Sequence, residues 1–90
     1  MKVIWKYEVP TNGLIEMPAG AEVLHIREQF ESVYLWALVD PQAPREPRFF
    51  LLVGTGHPVP DNTLASMKYR GTALLQHGRF VVHVFELPKE

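Results

Sequence analysis

The chain has no cysteine. That excludes a disulfide scaffold, a thiolate zinc site and a thiol nucleophile, and it fits a reducing compartment. Charge of one sign is missing too: nine Lys and Arg face ten Asp and Glu, a formal charge of −1. A strongly basic footprint is therefore absent, and nucleic acid is not an expected partner. Long apolar runs are lacking. The longest, Val33–Val39, has seven residues, against about 20 for a membrane span. The opening stretch, Met1–Glu8, carries Lys6 and Glu8 where a signal peptide has its apolar core. The expected setting is cytoplasmic, away from a membrane. Serine is scarce: Ser32 and Ser66 are the two present, and neither sits in a nucleophile elbow.

What is present is β-forming. With 90 residues the chain reads as one domain, 1–90, able to bury a single core. Val33-Tyr34-Leu35-Trp36-Ala37-Leu38-Val39 is apolar on both parities and stops at Asp40-Pro41. Such a run predicts a central strand covered on both faces. Residues 3–9 alternate, with Val3, Trp5, Tyr7 and Val9 on one face. Pro10–Gly13 reads as a turn and Leu14–Met17 as a short strand. In Glu22–Gln29 alternation predicts Leu24 and Ile26 inward, His25 and Arg27 outward. The link Gln29–Ser32 has no Gly or Asn, which favours a four-residue loop around a type I turn.

Asp40–Pro47 holds three prolines and reads as a loop joining two adjacent antiparallel strands. The second of these is Arg48–Val53. Gly54–Thr63 is irregular, and Leu64–Ser66 has room for one helical turn. A closing hairpin around His77-Gly78 predicts Leu75 opposite Phe80, Ala73 opposite Val82, Gly71 opposite Val84 and Tyr69 opposite Glu86. Its other face then carries Lys68, Arg70, Thr72, Leu74 and Gln76 with Val81, His83, Phe85 and Leu87, more apolar than a solvated face needs. Together these segments predict an all-β fold, a small antiparallel β-sandwich or barrel of about seven short strands with at most one helical turn.

Candidate chemistry is thin. The four histidines, His25, His57, His77 and His83, lack the short spacing of a metal set, so no metal ligands and no cofactor are assigned. Gly54-Thr55-Gly56-His57-Pro58 has two glycines, a hydroxyl and an imidazole at a strand end, but not the last elements of a dinucleotide or Walker loop. No carboxylate pair is singled out by spacing. No catalytic residues are assigned.

Taken in order, Trp5-Lys6-Tyr7, Leu35-Trp36-Ala37-Leu38-Val39-Asp40-Pro41, Gly54-Thr55-Gly56-His57-Pro58, Gln76-His77-Gly78 and His83-Val84-Phe85-Glu86 resemble a family of small phage and prophage proteins classed as a domain of unknown function. The resemblance covers nearly the whole chain. It departs at Gln29-Phe30-Glu31-Ser32, where related chains tend to have a glycine-bearing turn. It implies a bacterial or phage source, a cytosolic setting and an accessory role in phage–host conflict, and it carries no catalytic residues.

Three functions compete, with a structural virion component as a fourth option. The first is a non-enzymatic accessory protein that acts as a homo-oligomer and binds a bacterial or phage protein. Its interface would use Leu74, Val81, His83, Phe85 and Leu87. The second is a small-ligand binder, a sponge for a nucleotide signal. Its ligand residues would be Trp36, Gly54, Thr55, Gly56, His57 and Arg70, in and around the Gly54–Asp61 loop. The third is a metal-assisted enzyme using His57, His77 and His83.

Overall fold

Period-two alternation decides which side of each strand faces the core. The computed structural model describes residues 1–88 and has seven strands: β1 (Val3–Glu8), β2 (Leu14–Pro18), β3 (Glu22–Gln29), β4 (Ser32–Val39), β5 (Arg45–Gly54), β6 (Lys68–Leu75) and β7 (Phe80–Glu86). They form two antiparallel sheets, β1-β4-β3 and β2-β5-β7-β6. The expected choice between sandwich and barrel is resolved as a sandwich. Two 3-10 turns complete the described residues, Leu64–Ser66 at the expected place and Gln76–Gly78 at the hairpin tip. No helix among the described residues is long and apolar enough to cross a membrane.

The core sits between the sheets. From β4 it takes Val33, Leu35, Ala37 and Val39; from β2, Ile15 and Met17; from β5, β6 and β7, Phe50, Ala73, Val82 and Val84. Leu35, Met17 and Val84 are fully buried. Removing such a side chain costs about 2–5 kcal/mol. Trp5 and Tyr7 pack on the margin of this core. Burial raises the Tyr7 phenol above its ordinary value, and the charge of Arg45 opposes part of that rise.

Four expectations need correction. First, β4 is central in its sheet, but just one face is buried; Tyr34, Trp36 and Leu38 stay partly exposed on the other. Second, the Asp40–Pro47 segment does not join neighbours in one sheet. It crosses from one sheet to the other, and β5 already begins at Arg45, opposite Pro18. Among the described residues the β5–β7 ladder runs only as far as Phe50, and Pro47 lies beyond it. Third, Leu24 is 45% exposed rather than inward. A bulge between Val23 and His25 inserts Leu24 as an extra residue, so Val23 and Ile26 face in. Fourth, the β3–β4 link is a two-residue turn, with Gln29 opposite Ser32. Phe30 (φ 54°) and Glu31 (φ 63°) both lie in the left-handed region, as a type I′ turn requires. Two hydrogen bonds hold this unfavoured geometry. Glu31 N–H donates to Glu28 Oε2 (2.8 Å), and Gln76 N–H donates to Glu31 Oε1 (3.1 Å), tying the two hairpin tips together.

Candidate functional site: an apolar sheet face and a charged cleft

The outer face of β2-β5-β7-β6 is built by strand register in four rows. Leu14 lies opposite Phe49, whose carbonyl accepts from Leu87 N–H. Leu51, Phe85 and Tyr69 form the next row, and Val53, His83 and Thr72 the third. Val81 lies opposite Leu74 in the last, beside Thr55, whose N–H donates to Val81 O (3.1 Å). Leu74 is 58% and Tyr69 55% exposed. The Tyr69 and Phe85 rings pack tilted at 59°, with a centroid distance of 5.5 Å.

The polar groups on this face bond to one another. His83 Nε2 meets Thr55 Oγ1 at 2.7 Å, His83 Nδ1 meets Thr72 Oγ1 at 3.0 Å, and Tyr69 Oη meets that same Thr72 oxygen at 2.5 Å. Both imidazole nitrogens are therefore occupied. A polar group already paired within the protein costs little to remove from water. The face is apolar in outline and internally satisfied at its centre.

The second feature lies on the inner side of the same sheet. Arg48 and Glu86 are both 6% exposed. Arg48 donates to Glu86 Oε2 through Nε, to Glu86 Oε1 through Nη2 (3.0 Å) and to Ala21 O through Nη1 (2.9 Å). Arg70 adds two more donors to Glu86 Oε1, Nε at 2.9 Å and Nη2 at 2.7 Å. Burial pushes the Glu86 carboxyl up, but the hydrogen bonds and charges of Arg48 and Arg70 outweigh it and hold the group below the usual carboxylate range. The Glu86 hydrogen bond raises the Arg48 value against the opposing effect of burial, and the charges of Glu86 and Glu46 raise it further.

Arg70 reaches this place because of a second bulge. Tyr69 pairs with Phe85 and Gly71 with Val84, so Arg70 is the inserted residue. Tyr69 therefore faces out, opposite Phe85 and not Glu86, and Arg70 leaves the outer face where alternation had put it. Lys68 leaves it too: it pairs with Glu86 and lines a cleft of about 450 Å³ with Gly20, Ala21, Ser66, Arg48 and Arg70.

The proposed interface residues Leu74, Val81, His83 and Phe85 fall on one face, with Leu87 at its end. The proposed ligand residues do not come together. Trp36 points outward on the other sheet, where His25 packs beside it at 6.1 Å and Lys6 lies above it and Tyr34. Gly54 pairs with Val82, four residues along β7 from Glu86, or about 13 Å from the Arg70 cluster at the rise of a strand. The Gly54–His57 segment is a packed turn. His57 N–H donates to Gly54 O (3.1 Å), and Gly56 (φ 86°) supplies the positive φ of a type II turn. A Cβ on Gly54 would lie 2.9 Å from His57 Nδ1, so the imidazole caps the turn. Among the described residues no three of His, Asp and Glu form a group suited to a metal ion.

The Arg48–Glu86–Arg70 cluster went unread in the sequence, although a signal was there. Glu86 shares core parity with Val82 and Val84, and Arg48 shares it with Phe50 and Leu52. A charge of each sign on inward parity, near the ends of two strands, points to a buried pair.

An antiparallel two-sheet β-sandwich with an uncovered apolar face is thus the class that fold and surface define. Within it, a domain of unknown function (DUF7352) matches residues 1–90, and the chain belongs to that family. No curated protein and no solved structure matches the chain.

Proposed function

We propose that the protein is a non-enzymatic interaction module that pairs with a second copy of itself through the outer face of β2-β5-β7-β6. The observation that carries this reading is the outer face itself: apolar rows across all four strands, with the polar groups at its centre bonded to one another. Covering such a face releases water from apolar surface without stranding polar atoms. A second copy suits it as occupant. Glu16 shares this face with Leu14 on β2, and a net charge of −1 puts little repulsion between copies. A two-fold arrangement sets the patch against itself, as isologous dimers do. A 90-residue chain also has a small core to live on, so further burial stabilises it.

In the wider reading the dimer is a phage or prophage accessory protein that works in the bacterial cytosol and binds another protein. Two things support this: the resemblance of the ordered motifs, and the lack of cysteine.

Native mass spectrometry with light scattering at about 100 μM is the test, since that concentration populates dimers with a Kd of tens of micromolar or tighter. The expected result is a dimer. Leu74→Glu and Phe85→Glu should each give monomers, because a buried unpaired charge is costly at an interface. A wild-type monomer, or a dimer indifferent to both changes, would sink the reading.

A further inference from the structure

We propose that the cleft beside Glu86 binds a phosphate monoester, with Arg70 and Lys68 holding the phosphate. This goes beyond self-association and uses the inner side of the sheet. Three cations, Arg48, Arg70 and Lys68, line the cleft with one carboxylate, Glu86; the charge of Glu46 also reaches Arg48, which leaves a surplus of one cation. The hydrogen bonds do not balance either. Arg48 alone satisfies Glu86 as a fork, Nε to one oxygen and Nη2 to the other. Arg70 is surplus to that pair. It places both donors on Oε1, which then receives three N–H groups within 3.0 Å, one more than its two lone pairs. Among the described residues Arg70 Nη1 donates to nothing. A β-bulge is nonetheless spent on bringing this arginine inward, and bulges re-aim side chains beside functional sites.

The space fits a small ligand. The cleft holds about 450 Å³, within the range of about 300–1,000 Å³ typical of small-molecule sites. At Gly20 an added Cβ meets nothing within 4 Å, so that wall is open. Met67 and Pro88 line the same cleft and offer apolar contact to the organic part of the ester. Arg70 and Lys68 supply a planar fork and a compact ammonium, both suited to phosphate oxygens.

Phenyl phosphate is the probe, in an amide-resolved NMR titration of the whole chain, with benzoate and sodium chloride at equal ionic strength as controls. Saturable shifts at Ser66, Lys68 and Arg70 are expected with phenyl phosphate, at a Kd below about 1 mM. Lys68→Ala, at an exposed position, and Arg70→Lys, which keeps a cation for Glu86, should each weaken binding about tenfold. Shifts that chloride reproduces would overturn the proposal, as would binding unchanged in both variants. Benzoate binding as tightly would overturn the assignment to phosphate.

Discussion

The two sheets solve opposite problems. The three-stranded sheet keeps its charge outside and covers its own rings. Lys6 lies 4.7 Å above the Tyr34 ring and bonds Gln29 Oε1 at 2.5 Å, so a lysine stem roofs the outward aromatics of β4. The four-stranded sheet does the reverse. It draws Arg48, Glu86 and Arg70 inside and leaves Phe85, Leu51 and Leu74 outside. Apolar residues on both parities thus have two meanings here. On β4 they are half-covered by neighbours in the same sheet; on β5 and β7 they form a face that nothing in the described chain covers. The buried charges belong to the sheet with the bare face, so that sheet carries both candidate sites.

Breaking the inner charge should have the largest effect. Glu86→Ala leaves two guanidiniums facing each other with no carboxylate between them, and about 3–5 kcal/mol of stability should go, read by urea unfolding. The same group sets an acid limb. Because its folded value is lowered, its contribution is fully present above the ordinary glutamate value of about 4.3 and is lost as pH falls through the folded value. Wild type should lose stability across that window, and Glu86→Gln should lack this part of the slope. An unchanged slope would mean that the pair contributes nothing net.

The contact between the sheets comes next. A Cβ on Gly71 would lie 2.8 Å from Ile26 Cβ, so Gly71→Ala should cost about 1–3 kcal/mol by thermal unfolding, partly recovered by adding Ile26→Val. Lys6→Ala, on the self-covered face, should be the mildest, at about 0.5–1 kcal/mol, with no change in mass by light scattering. If Lys6→Ala dissociates a dimer while Leu74→Glu does not, the roles of the two faces are exchanged.

Strand existence and most of the core were legible, because alternation is local. Val33, Leu35, Ala37 and Val39, or Val82 and Val84, declare their face within a few residues. The closing hairpin register was legible from Leu75 back to Gly71 for the same reason. Beyond Gly71 it was not, since one inserted residue reverses parity for Tyr69 and Arg70, and nothing local announces the insertion. Leu24 failed in the same way. Sheet membership was hidden too. Apolar runs at β4 and β5 look like neighbours, yet the proline-rich segment between them crosses the sandwich. The hairpin's share of the outer face, Leu74, Val81, His83 and Phe85, was readable as one face; the rows added by β2 and β5, and the cleft assembled from β5, β6, β7 and the β2–β3 turn, were not.

The two bulges have a consequence for solubility. β3 and β6 are edge strands of their respective sheets, and each carries an inserted residue, Leu24 in one and Arg70 in the other. An unbroken edge is a template on which another chain can add a strand, and a bulge interrupts that template. On the opposite edges, β2 ends at Pro18 and β1 carries Lys6, two further deterrents to strand addition. Growth of open-ended ribbons by strand addition is thereby discouraged.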